Sequence, residues 1–128
     1  SKNTADKVNR NTTSSWGSYC IQSNTSSAHW VKVDFGAPKY IEAFGVAGYP
    51  GSSHKPKGTW HLQGSTDNKT WKNVWSGGAT LWTTGSPTYP PPTTIEVTAP
   101  GQYRYYRIYS AGGWTNGHLL VCNWAMYE

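Results

Sequence analysis

At 128 residues the chain is long enough for one domain with its own core. Charged residues make up only 13% and aromatics 15%, with eight Trp and nine Tyr, so amphipathic rings stand where Lys and Glu commonly do. The formal net charge is +5, yet the densest basic groupings are Lys55 with Lys57 and Arg104 with Arg107. That scatter argues against the clustered footprint of a nucleic-acid binder, and no apolar run approaches the roughly 20 residues of a membrane-spanning helix.

The chain opens at Ser1 without a signal-peptide pattern and is expected to be a single domain, residues 1–128, excised from a longer protein. Residues 1–29 are polar and rich in Ser, Thr and Asn, with no helix of useful length. In WVKVDFG, residues 30–36, Val31, Val33 and Phe35 fall on one side and Lys32 and Asp34 on the other, and Gly36 is expected to end the strand. In WHLQGSTDNKTW, residues 60–71, Trp60, Leu62 and Gly64 alternate with His61 and Gln63 before a turn at Ser65–Asn68. There Asp67 can bind backbone two residues on, and Asn68 can adopt a positive φ. Further strands are expected at 40–48, 71–75, 93–98, 103–110 and 118–127. Between them lie a Gly- and Pro-rich loop at 76–92 and a second loop, SAGGWTNG, at 110–117. Seven short strands punctuated by turn signals predict an antiparallel β-sandwich. Trp16, Trp30, Trp60, Trp71 and Trp124 are assigned mainly to its core. Cys20 and Cys122 are either bridged, closing a loop of about a hundred residues, or free and buried.

Catalysis would need a carboxylate pair, or a nucleophile with a base. Asp34 and Asp67 are accounted for by strand-end and turn roles, Glu42 and Glu96 read as solvated, and no hydrolase motif is present. His118 and Cys122 would stand about 13 Å apart on a strand, too far for one zinc. The chain is therefore expected to be no enzyme and to need no cofactor. Sugar binding needs other groups: a flat ring against the C–H face of a pyranose, and a few fixed donors and acceptors for its hydroxyls. The loops supply them. Trp114 stands between Gly112-Gly113 and Gly117, beside Asn116 and His118; Tyr49 and His54 share the loop YPGSSHKPK, Trp82 and Tyr89 lie in the Pro-rich loop, and Tyr19 flanks the first loop. Trp114 is the expected sugar platform. Its loop is expected to share an end of the sandwich with the loop of Tyr49 and His54.

Four motifs in order carry a resemblance: WVKVDFG, then WHLQGSTDNKTW, then Arg104-Tyr105-Tyr106-Arg107, then the closing Trp124-Ala125-Met126-Tyr127. The chain resembles the discoidin family, which includes the C-type domains of coagulation factors five and eight and bacterial galactose-binding-like modules. The resemblance implies an all-β, jelly-roll-like sandwich with its ligand on loops at one end. It implies a galactose-like sugar by preference. Family members often hold a structural calcium with acids at two positions that correspond here to Asn9 and Asn123; Asp6 or Glu128 could compensate, yet with amides at both places no tightly held metal is expected.

The leading expectation is an extracellular or virion-surface carbohydrate-binding module, an accessory domain of a glycosidase or the receptor-binding domain of an adhesin or phage tail protein. Its partners would be glycans, oligosaccharides or polysaccharides rather than nucleic acid. The alternative is a discoidin-type binder of anionic membrane or of a protein partner, and the third reading is a purely structural domain. Bare Leu, Phe or Met at loop tips would favour membrane, whereas these tips carry Trp, Tyr and His with Gly and Ser.

Overall fold

The structure, a computed structural model, describes residues 4–6, 21–22, 29–48, 54–84, 91, 93–115 and 119–128. The strands are β1 (Thr4–Asp6), β2 (Ile21–Gln22), β3 (Trp30–Tyr40), β4 (Ala43–Gly48), β5 (Trp60–Ser65) and β6 (Lys72–Gly77), then β7 (Thr83–Thr84), β8 (Ile95–Glu96), β9 (Gln102–Tyr109), β10 (Leu120–Val121) and β11 (Asn123–Tyr127). One sheet runs β1-β11-β4-β7 with β8 also paired to β4; the other runs β3-β9-β5-β6, and β10 with β2 makes a small ribbon. Pairing is antiparallel except between β4 and β7. The fold is the expected antiparallel β-sandwich, and its principal strands fall close to the predicted spans. The short β1, β2 and β7 were not predicted, since two or three paired residues leave no periodicity to read.

The core lies between the two large sheets. Phe44, Val46, Trp124 and Met126 from one meet Trp60, Leu62, Val74, Tyr106 and Ile108 from the other. Period-2 alternation accounts for β5 and β9: Trp60 and Leu62 are fully buried, as are Tyr106 and Ile108. β4 does not alternate, because all six of its residues are buried. The stretch around Pro91 and Thr93 covers its outer side so closely that a Cβ on Gly45 would stand 2.7 Å from the Thr93 carbonyl oxygen. A strand covered on both faces reads as a continuous apolar run.

Gly36 does not end its strand. Asp34 pairs with Tyr105 and the next pair is Lys39 with Tyr103, so the segment between bulges out and pairing then resumes. Gly36 has φ 77°, and its N–H donates to Asp34 Oδ1 at 2.7 Å. The β5–β6 hairpin is closed as the sequence indicates. Asp67 Oδ1 accepts from Lys69 N at 2.9 Å, Thr70 N at 2.8 Å and Ser65 Oγ at 3.0 Å, while Asn68 has φ 64°.

Those donors hold the Asp67 carboxyl below its ordinary value of 3.8, backbone hydrogen bonds from Thr70 and Lys69 leading. A depressed folded-state pKa adds stability above the unfolded value and loses it as pH falls through the folded one. Asp67→Asn is therefore expected to lower the melting temperature at neutral pH and to narrow the gap to wild type on acidification. Thermal melts of both proteins from about pH 7 to about pH 2 check this.

Cys122 is disulfide-bonded, and the chain's one other cysteine is Cys20. The choice left open by the sequence is thus decided for the bridge.

Candidate functional site

The loops beyond Gly48, before Trp60 and after Tyr109 meet at one end of the sandwich. Lys57 N donates to the Gly113 carbonyl at 3.0 Å, Thr115 N to the Lys55 carbonyl at 2.8 Å, and Lys55 N to Thr115 Oγ1 at 2.9 Å. Pro56 and Trp114 form an isolated bridge. Gly113 has φ 78°, a conformation that favours glycine, and Ser110 Oγ donates to its carbonyl at 2.8 Å. His29 Nδ1–H donates to the Ser110 carbonyl at 3.1 Å, which adds the start of β3 to the same end. The loop of His54 and the loop of Trp114 therefore do lie side by side.

Trp114 itself is not a surface platform. It is 2% exposed and meets Trp82 edge-on with centroids 5.0 Å apart; Trp82 in turn meets Trp60, also at 5.0 Å. The glycines turn the ring inward, where an indole gains more by burial than in water. Trp82, also proposed from the sequence as a ligand contact, is core for the same reason. The Nε1–H groups of both are buried without a hydrogen-bond partner among the described residues. His54 is partly exposed at this end. Tyr19, Tyr49, Tyr89, Asn116 and His118 lie outside the described residues.

Of the residues considered for calcium, Asn123 and Glu128 stand too far apart to share one ion. Asp6 pairs with Met126 and Glu128 follows β11, whereas Asn123 opens that strand and is 1% exposed. Five residues of strand separate Asn123 from Glu128 by about 16 Å, against calcium–oxygen distances of about 2.3–2.6 Å. Asn9 and Trp16 lie outside the described residues. Among the described residues no three His, Cys, Asp or Glu groups are placed to hold a metal.

A second constellation, missed from the sequence, lies on the outer face of the β3-β9-β5-β6 sheet. Trp30, assigned to the core from its sequence, is 45% exposed there. Its parity was the available signal: residues 30, 32 and 34 share a face, and Lys32 and Asp34 had already been placed outward. Across the sheet, Lys32 stands opposite Arg107, Trp30 opposite Tyr109, and Gln63 opposite Arg107. The Arg107 guanidinium lies 4.1 Å from the Trp71 ring centroid, 4.8 Å from Tyr109 and 5.9 Å from Trp30. Its Nε donates to Gln63 Oε1 at 2.6 Å, and Gln63 Nε2 donates to Asn73 Oδ1 at 2.8 Å. Trp71 is thus half-buried under a cation rather than in the core. Lys32 Nζ sits 5.1 Å from the Trp30 centroid and donates to Asn68 Oδ1 at 2.8 Å. His61 stacks on Tyr109 and shares a 2.6 Å hydrogen bond with Ser76 Oγ; burial lowers its pKa and so favours the neutral ring. Burial also lowers the Arg107 pKa, with only Tyr109 acting the other way.

Asp34, the acid on this face among the described residues, is engaged. Arg104 Nε and Nη2 donate to its two oxygens at 2.7 Å and 2.9 Å, holding its carboxyl below the ordinary range. The exposed pair is a geometric strut of small net worth.

The sequence profile of the F5/8 type C domain matches residues 1–126. A search among curated protein sequences finds no match. Among solved structures, the chain is similar to the family 32 carbohydrate-binding module of AlyQ in complex with 4,5-unsaturated mannuronic acid, at TM-score 0.65 and 17% identity over 100% of this chain and 94% of that one. It is similar to the first family 32 module of a family 31 glycoside hydrolase from Clostridium perfringens, at TM-score 0.62 and 17% identity over 87% and 78%. It is also similar to the family 32 module of Clostridium perfringens NanJ in complex with galactose, at TM-score 0.61 and 12% identity over 86% and 77%. At such identities the likeness establishes the fold, and with the profile match over nearly its whole length the chain belongs to the F5/8 type C, or discoidin, domain family.

Proposed function

We propose that this domain is a non-catalytic carbohydrate-binding module that holds a glycan on the loops at one end of the sandwich. It would serve as an accessory domain of a glycosidase or as the receptor-binding domain of an adhesin or phage tail protein. The observation that carries the reading is the match along the entire chain to a module crystallised with a sugar, in a family to which this chain belongs. The disulfide at Cys122 is in keeping with an extracellular or cell-surface setting. With Trp82 and Trp114 in the core, the sugar contacts pass to Tyr49, His54, Asn116 and His118, flanked by Tyr19 and Tyr89. A galactose-like head group follows the family preference and the galactose complex of the NanJ module.

A glycan array on the isolated domain, followed by calorimetry on the best neutral hit, tests this. One ring contact and a few hydrogen bonds imply a dissociation constant on the order of 10⁻⁵ to 10⁻³ M. His54→Ala and Tyr49→Ala are expected to weaken it roughly ten-fold, with the melting temperature unchanged. An array without a hit, alongside binding to phosphatidylserine vesicles, would replace the glycan with anionic membrane.

A further inference from the structure

The two outer faces of the sandwich are treated differently by the chain. That of β4 is covered by residues around Pro91 and Thr93. That of the β3-β9-β5-β6 sheet leaves Trp30 45% exposed amid Lys32, Arg107, Tyr109 and His61. Two features there are costly without a partner. Lys32 and Arg107 are directly opposed cross-strand neighbours of like charge, an arrangement that destabilises a sheet. Among the described residues Arg107, partly desolvated, has no carboxylate partner, and its hydrogen bond there uses Nε and neither Nη group. Asp34, the nearby acid, is taken by Arg104. Lys32, Arg104 and Arg107 against Asp34 leave this face with excess positive charge.

We propose that this face is a second binding surface, separate from the loop end, for an acidic polysaccharide whose sugar rings carry carboxylates. The occupant follows from the groups. A guanidinium near three ring centroids, at 4.1 Å from Trp71, 4.8 Å from Tyr109 and 5.9 Å from Trp30, has two Nη donors whose own plane fits a carboxylate bidentately. Lys32 supplies a second counter-charge, with one of its three donors used on Asn68. Trp30 supplies an exposed ring for a pyranose. Gln63 and the stacked rings fix Arg107 in place beforehand, so little of its rotamer freedom remains to be lost on binding.

The test is calorimetry or affinity electrophoresis with polygalacturonate, using the same polymer in its highly methyl-esterified form as the neutral control. Wild type is expected to bind polygalacturonate roughly ten-fold more tightly than the ester. Arg107→Lys, which keeps the charge and loses the fork, is expected to weaken polygalacturonate binding roughly ten-fold. Trp30→Ala is expected to weaken it about three- to ten-fold, with melting temperature and neutral-glycan binding unchanged because Trp30 is exposed. Equal binding of ester and acid, or of wild type and both variants, would overturn the proposal. So would tighter binding of dextran sulfate, which would reduce the surface to undirected charge, or of single-stranded oligodeoxythymidylate, which would make it a nucleic-acid platform. Failure of neutral-glycan binding at the loop end would leave this surface untouched, since the two are read with different polymers and different variants.

Discussion

Trp114→Ala is expected to destabilise the domain by about 3–5 kcal/mol, lowering the melting temperature by roughly 10–20 °C. The indole is 2% exposed and closes the aromatic series that runs from Trp75 through Trp60 and Trp82. Alanine would leave a cavity under the Lys55–Lys57 and Gly113–Thr115 contacts, which hold the two loops together. Trp114→Phe should be far milder. It keeps a ring and removes an N–H that is buried without an acceptor among the described residues, a group that otherwise costs about 1–3 kcal/mol. Thermal denaturation of both variants separates the contributions. A Trp114→Ala protein that melts like wild type and yet fails to bind glycan would return the ring to the surface.

The disulfide is the second large effect. A bridge from Cys122 to the chain's other cysteine encloses about a hundred residues, and in chain-entropy terms stabilises by roughly 4–5 kcal/mol. Cys122→Ser, or reduction of the wild type with dithiothreitol, is expected to remove that amount in denaturant unfolding. The two treatments should not add, because each opens the same loop. Additive losses, or an unchanged midpoint on reduction, would show that the bridge contributes little.

Period-2 alternation placed both sides of β3 over residues 31–35 and of β5, and the Asp67–Asn68 turn could be read from side-chain chemistry because every bond in it spans three residues or fewer. Trp114 and Trp30 exchanged their expected roles, each for its own reason. Flanking glycines reveal that the backbone can turn, but the direction in which the ring then goes depends on a hole made by Trp82 and Pro56, residues far away in the chain. Trp30 was weighed by residue type, when parity with Lys32 and Asp34 was the better guide. The outer-face cluster could not be assembled from sequence at all. Trp30, Arg107, Gln63 and Asn73 come from four strands, and only the register among them brings them together. Nor does β4's apolar run disclose that a loop rather than a sheet covers its outer side.

β1 runs beside β11 with Thr4 against Tyr127, at the Ala43 end of β4, while the clustered loops lie beyond its Gly48 end. Any polypeptide joined ahead of Thr4 and any joined after Tyr127 would thus leave from the same pole, and a domain attached in that way would hang like a lamp on a bracket, loops outermost. Mechanical load carried through both attachments would bypass the sandwich and peel β1 from β11 one rung at a time. Load carried through a glycan at the far pole and a single attachment would instead pull lengthwise along β4 and β11, where the ladder's hydrogen bonds must yield together.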